Sequence, residues 1–205
     1  MSSHAIPVDS ARNIEHEIQC RDLDIFTRLS PTLDMLPGDL VRHSRRVCSL
    51  TLSLARLLNL SEEEMLTVAL AALLHDIGKA DINHVILNKP GRLTPGEYAL
   101  VQKHAEYGAR RLDRFHSLKQ IAPLVYHHHE RWDGGGYPDG LRGETIPLGS
   151  RIIAIADAFD AMTTDRCYQS RRTPQAALTE LRSGAGTQFD PYLVSLFAQE
   201  PSVSH

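Results

Sequence analysis

The stretch Leu73-Leu74-His75-Asp76-Ile77-Gly78-Lys79 puts an imidazole, a carboxylate and an ammonium at the end of an almost unbroken apolar run that begins at Met65. A helix that is apolar on nearly every side is buried. A buried ionised carboxylate must be paired, protonated or bound to metal. The structural explanation is an ion pair of Asp76 with Lys79, one turn on. Against it stands a supply of further ligand-type side chains. The chain has 11 histidines, and His43, His75, Asp76, His104, His128, His129 and Asp157 make seven imidazoles and carboxylates on segments otherwise apolar or capped as helices. Imidazole and carboxylate without thiolate suit first-row metals such as iron, manganese or zinc, and the lack of Cys among these residues argues against a structural zinc site. Seven ligands exceed the needs of one ion. Two ions sharing a carboxylate fit better, with Asp76 as the natural bridge. Two metals about 3.5–4 Å apart are a recurring device for phosphoester hydrolysis.

The elements that must position these residues read as helices. Ala11, Ile14, Ile18, Ile25 and Leu29 lie roughly on one helical stripe, a lead-in without chemistry. Pro37-Gly38-Asp39 opens a second helix, with Asp39 as cap or first-turn carboxylate. His43 shares the inward stripe of Val47, Leu50, Leu54 and Leu57. Ser61 and Glu64 form a capping box for the helix to His75, which Gly78 is expected to end. Lys89-Pro90-Gly91 turns the chain. Thr94-Pro95-Gly96-Glu97 opens a helix that carries His104 and Gly108. Residues 121–130 read as a further helix ending in His127-His128-His129-Glu130. Three successive imidazoles on a helix point about 100° apart, so at most two reach one centre. Residues 131–140 form a loop whose Gly134, Gly135 and Gly136 let backbone approach a ligand, with Trp132 and Tyr137 as stacking surfaces. Residues 151–163 are strongly apolar, interrupted by Asp157 and Asp160 at helical spacing. Pro174 and Asp190-Pro191 start two closing helices. His4, His16 and His84 have no partner in this scheme. Strand alternation is nowhere convincing, so the expected class is all-α.

Composition narrows the function. A chain of 205 residues, 42% hydrophobic and 23% charged, suits one domain with a substantial core. A net charge of -3 gives no general affinity for nucleic acid or anionic membrane, so any phosphate binding must be local. The apolar runs at 65–74 and 152–159 are too short to span a bilayer. The amino terminus, with Pro7 and Asp9, does not read as a signal peptide. Cys20, Cys48 and Cys167 suggest neither a disulfide framework nor a thiolate site, and the cytoplasm is the default location.

His75-Asp76-Ile77-Gly78-Lys79 resembles the signature of the HD phosphohydrolase superfamily. His128-His129-Glu130-Arg131-Trp132-Asp133-Gly134 with Gly136-Tyr137-Pro138 resembles its HD-GYP branch. With Lys89-Pro90-Gly91, His104, Asp157 and Asp160-Ala161, the resemblance runs from about Asp39 to Phe197. It implies an all-α helical bundle of the HD type over residues 39–199, between a lead-in at 1–38 and a tail at 200–205. It implies hydrolysis of cyclic di-GMP to linear pGpG, with GMP as a later product left open. It also implies two or three divalent metals, iron or manganese. By position, His43, His75, Asp76, His104, His128, His129 and Asp157 match the family's metal ligands. Asp76 and Lys79 carry the catalytic part, Lys79 beside the phosphate. Gly136, Tyr137, Asp160 and Arg166 match the nucleotide site, and the Gly-Tyr-Pro loop could receive protein partners. His127 is expected not to ligate, and a homodimer is within the expectation.

Two departures matter. Trinuclear members of the family carry Glu where this chain has Asp39, one methylene shorter, so two metals are expected and Asp39 is expected to cap its helix instead. A basic residue common after the Arg-x-Tyr run is here Gln169, after Arg166-Cys167-Tyr168. The alternatives are the same chemistry on another cyclic dinucleotide or nucleotide phosphoester, and a domain that binds cyclic dinucleotide or protein without turnover.

Overall fold

A computed structural model describes residues 38–165 and 171–200. The expected lead-in helix, with His4, His16 and Cys20, lies outside these residues, as do Arg166, Cys167, Tyr168, Gln169 and the last five positions. The described chain is helical: α1 (Gly38–Leu57), α2 (Glu62–Leu74), a 3-10 turn (Ile77–Asp81), α3 (His84–Leu87), α4 (Pro95–Gln102), α5 (His104–Asp113), α6 (Ala122–Tyr126), α7 (Leu148–Thr163), α8 (Pro174–Ser183) and α9 (Pro191–Phe197). Among the described residues, β pairing is limited to one bridge between Ala185 and Phe189. No described helix is long and apolar enough to cross a membrane.

Helices α1 and α7 pack on each other and divide the core. On one side, Val47 and Leu52 of α1 and Ile153 and Ala156 of α7 meet the small-residue face of α2, Ala69, Ala71 and Ala72, together with Leu112, Ile121 and Val125. On the other, Leu54, Ile152, Ile155 and Phe159 meet Leu178, Leu181, Leu193 and Phe197 of the closing helices. Alanines on α2 bring its backbone close to α1 and α7, so polar groups at its end are held deep in the molecule. The capping boxes form as expected: Ser61 with Glu64 and Thr94 with Glu97. Asp190 caps α9, and Pro174 and Pro191 occupy first-turn positions.

Three boundaries differ from the sequence expectation, and each moves a histidine. The helix reaching His75 stops at Leu74, and Gly78 is not its terminator. Gly78 is buried in the following 3-10 turn, pressed on α5. A Cβ there would stand 2.0 Å from the His104 carbonyl oxygen and 2.4 Å from the Gly108 nitrogen. The helix expected to run through His104 breaks at Lys103, whose N–H turns back to Leu100 O at 3.2 Å, and α5 starts anew with His104 buried. The helix expected to reach Glu130 ends at Tyr126: the His127 N–H still makes the last i to i−4 bond, to Pro123 O, and the His127 carbonyl then closes a three-residue turn with Glu130 N. His128 and His129 therefore sit on a turn, where the 100° spacing of a helix does not apply.

The contact at Gly78 is backbone on backbone, so a side chain cannot give way. Gly78→Ala is expected to cost about 2–3 kcal/mol through forced displacement of α5. The urea midpoint should fall with little change in slope. An unchanged midpoint would show that α5 does not bear on this turn.

Candidate metal centre

The seven expected ligands come from five segments and meet at one place. Three of the histidines are oriented by the same local device. Nδ1 of His75 lies 2.7 Å from Ala72 O, Nδ1 of His104 2.7 Å from Val101 O, and Nδ1 of His128 2.6 Å from Val125 O. A carbonyl only accepts, so Nδ1 carries the proton in each ring, and in the neutral ring Nε2 is a bare lone pair aimed inward. Each accepting carbonyl sits in the last turn of a helix, where carbonyls have no partner further along. His43, in the second turn of α1, instead places Nδ1 2.6 Å from Oδ2 of Asp160.

Asp76 stands between two groups of imidazoles. Its Oδ1 is 3.4 Å from Nε2 of His104. Its Oδ2 is 3.4 Å from Nε2 of His75 and 3.9 Å from Nε2 of His43. On the His104 side, Nε2 of His104 is 3.3 Å from Nε2 of His128 and 3.2 Å from Nε2 of His129. On the other side, Nε2 of His43 is 3.1 Å from Oδ1 of Asp157. His104, His128 and His129 thus form one cluster able to hold a metal ion, and His43, His75 and Asp157 another.

The donor set fits divalent cations. With their Nδ1 protons committed to carbonyls, His104 and His128 turn lone pairs on each other across 3.3 Å, which is repulsive unless a cation or a proton is shared. The Nε2 of His75 is fully buried and makes no hydrogen bond, a costly state for a nitrogen acceptor unless something binds it. The mixture of imidazole nitrogen and carboxylate oxygen suits first-row metals.

The two sides differ electrically. Burial pulls His43 down, but hydrogen bonds to Asp157 and Asp160 outweigh it and raise the ring to about 9. Burial likewise opposes the charge of Asp76 at His75, and the balance is upward. On the opposite side, burial lowers His104. Burial and then the His129 ring hold His128 well below its ordinary value. Burial and then His104 bring His129 to about 3. These three rings are therefore neutral, the form a ligand needs. Burial favours the protonated acid at Asp76 and Asp157. The charges of Lys79 and His75 overcome it at Asp76, and the His43 hydrogen bond and His75 charge overcome it at Asp157, so both stay ionised.

The centre opens into a cleft of about 970 Å³. Lys79, Gly136, Tyr137 and Asp160, the expected substrate residues that are described, all line it. Nζ of Lys79 is 2.6 Å from Oδ2 of Asp76. Gly136 lies against the preceding backbone: a Cβ would come 2.3 Å from Arg131 N and 2.6 Å from His129 O. This close approach carries the Tyr137 ring to 4.9 Å from that of His129, tilted by 31°. Trp132, expected as a stacking surface, does not line the cleft; its ring packs under the Arg151 guanidinium at 5.8 Å. His127 turns away to Asp139 at 3.1 Å. Asp39 lies in the first turn of α1 at the cleft mouth, exposed and paired with Arg42. It is thus a first-turn carboxylate, one of the two roles expected of it, with Arg42 as its described partner. Sequence reasoning passed over Arg46, Tyr98, Asn88, Gln102 and Gln188, which also line the cleft. Only Arg46 had a signal, three residues after His43 and so on the same helix face.

A model of the HD domain family matches residues 28–193. The chain is 43% identical to 3'3'-cGAMP-specific phosphodiesterase 2 of Vibrio cholerae over 77% of its own length and 30% of that protein's. It is 40% identical to a cyclic di-GMP phosphodiesterase of Thermotoga maritima over 85% of its length and 47% of that protein's. Among solved structures, that of the V. cholerae cyclic GMP-AMP-specific phosphodiesterase V-cGAP3 superposes with a TM-score of 0.63 at 28% identity, covering 86% of this chain and 48% of that one. The chain thus spans less than half the length of these relatives.

Proposed function

The chain belongs to the HD domain family, and from that premise we propose that it is a metal-dependent phosphodiesterase that opens cyclic di-GMP to linear pGpG. The observation that carries the reading is Asp76, with one oxygen toward each imidazole group and Lys79 beside it at the floor of a large cleft. His43, His75 and Asp157 would hold one ion, His104, His128 and His129 a second, with Asp76 shared. Iron or manganese suits this nitrogen-rich mixed donor set. When bound, such ions act as Lewis acids on phosphoryl oxygen and make water a nucleophile near neutral pH.

The chain's own residues do the rest. The three carbonyl-oriented rings keep their lone pairs fixed without side-chain freedom. Lys79 supplies an ammonium at the edge of the site for the non-bridging phosphate oxygens. Tyr137, held by the close backbone approach at Gly136, offers an aromatic face to a purine at the cleft wall. Arg166 belongs to the nucleotide site in this reading. In this reading the reaction takes place in the cytoplasm, the location expected from the sequence.

A second reading is favoured by one finding: the 43% identical relative is named for 3'3'-cGAMP. The test is metal analysis of anaerobically purified protein with chromatography of products from cyclic di-GMP and 3'3'-cGAMP, side by side. About two ions per chain and pGpG as first product support the main reading. Turnover of 3'3'-cGAMP alone moves the substrate, and turnover of neither defeats the assignment.

Asp39 is not a ligand in this reading. It is committed to Arg42 and mostly exposed. Asp39→Ala is expected to leave the metal content unchanged and to alter stability by less than about 1 kcal/mol, the range of exposed ion pairs. Elemental analysis that found three ions in the unmodified protein and two in the variant would make Asp39 a ligand.

A further inference from the structure

We infer that Arg46 and Asp160 are positioning residues that act together to aim His43. The inference rests on the proposed metal-binding reading. The three rings at helix ends each use a last-turn carbonyl. His43 has none, because α1 runs unbroken from Gly38 to Leu57 and the carbonyls one turn back are spent on the helix. A side chain must replace them. Asp157 and Asp160 are one turn apart on α7, and His43 and Arg46 one turn apart on α1, so the two packed helices present two pairs face to face. Asp157 lies 3.1 Å from Nε2 of His43 and Asp160 2.6 Å from Nδ1. Arg46 then grips Asp160 from the cleft side, Nε to Oδ1 at 2.5 Å and Nη2 to Oδ2 at 3.0 Å. Thr164 adds a hydroxyl to Oδ1 at 3.3 Å.

Both oxygens of Asp160 are therefore engaged within the protein, and its 3% exposure leaves no oxygen free for a nucleotide. The guanidinium fork has two consequences. It keeps Asp160 an acceptor, so that Nδ1 must donate and Nε2 must face Asp157 and Asp76. It also fixes the plane of the carboxylate, and with it the plane of the ring. Outer partners of this kind typically change metal affinity by about 10–100-fold when removed.

The test is Mn²⁺ titration of metal-depleted protein, followed by electron paramagnetic resonance, on Asp160→Asn, Arg46→Gln, Arg46→Lys and the Asp160→Asn/Arg46→Gln double variant. Asp160→Asn is expected to weaken one of the Mn²⁺ binding steps by about 10–100-fold and to leave the other near its wild-type value. Arg46→Gln should weaken the same step by about tenfold, and Arg46→Lys should restore part of that loss. The double variant should bind no worse than Asp160→Asn alone, because Arg46 acts through Asp160. With saturating metal, KM for cyclic di-GMP should stay near the wild-type value. Losses that multiply in the double variant, unchanged Mn²⁺ affinity, or a raised KM with normal affinity in Arg46→Gln would each overturn the inference, the last by making Arg46 a substrate contact. Wild-type protein that takes up Mn²⁺ but hydrolyses no cyclic dinucleotide would defeat the substrate assignment, while weakened, non-multiplying affinities would still uphold the relay. Wild-type protein that takes up no Mn²⁺ would overturn both.

Discussion

Asp76→Ala is expected to lose both metal ions and to lower turnover by at least about 10³-fold, the equivalent of roughly 4 kcal/mol of transition-state stabilisation. Each oxygen of Asp76 faces a different imidazole group, Oδ1 toward His104 and Oδ2 toward His75 and His43. A ligand on only one side would leave the other ion in place. Removing this carboxylate also leaves like-charged or lone-pair-bearing nitrogens facing one another without an anion between them. The fold should survive, since Lys79 is partly exposed and can hydrate once unpaired. Thermal denaturation separates the two effects. Ligand binding stabilises wild-type protein by about 2.7 kcal/mol at a hundredfold excess over Kd, so added Mn²⁺ should raise its Tm. The variant should melt at one temperature with or without metal. Full metal content and activity in Asp76→Ala would refute the shared-carboxylate arrangement. A variant that keeps one ion and partial activity would assign Asp76 to a single side.

The convergence was legible because most of the seven residues interrupt an apolar helix face or end a capped helix, and His104 lies within a capped one. Periodicity reports faces well, and capping chemistry at Ser61, Thr94 and Asp190 reports where helices start. It reports their ends badly. Nothing in the residues around Lys103 marks a break, because the chain there is polar and helix-compatible; the break is set by the packing of His104 beneath the 3-10 turn. The same holds at Tyr126, where the short helix yields to a turn that lets His128 and His129 serve one centre. The role of Gly78 was misassigned for a related reason. A glycine after an apolar run predicts a terminator, and only the three-dimensional approach of α5 reveals that its missing Cβ makes room for the backbone at His104 and Gly108. Orientation of the rings was invisible altogether. The carbonyls of Ala72, Val101 and Val125 carry no side-chain signature, and the Arg46–Asp160 grip joins positions 114 residues apart.

Lys79→Ala is expected to retain its metal ions and lose about 10²–10³-fold in kcat, the usual cost of removing one preorganised charge from a developing oxyanion. The competing account is that Lys79 only neutralises Asp76. That account is strong on distance, since Nζ and Oδ2 are 2.6 Å apart. It is weaker on balance. Asp76 is also approached within 4 Å by His43, His75 and His104, and two bound cations would compensate it without any lysine. The side chain of Lys79 is 26% exposed and lines the cleft, whereas that of Asp76 is 3% exposed. A lysine needed only for pairing would gain nothing from reaching solvent. Loss of a partner from an uncompensated buried pair costs about 3–5 kcal/mol, so the two accounts predict opposite results. If Lys79 serves substrate phosphate, the metal-loaded variant should unfold close to the wild-type midpoint and show depressed kcat at saturating substrate. If it serves Asp76, the midpoint should drop sharply while the folded fraction turns over normally. Lys79→Arg adds a second comparison: it keeps the charge but changes the reach and shape of the donor. Activity between those of the wild type and Lys79→Ala would point to charge placed on a phosphate oxygen, and full activity with wild-type stability in Lys79→Ala would remove the residue from the reaction.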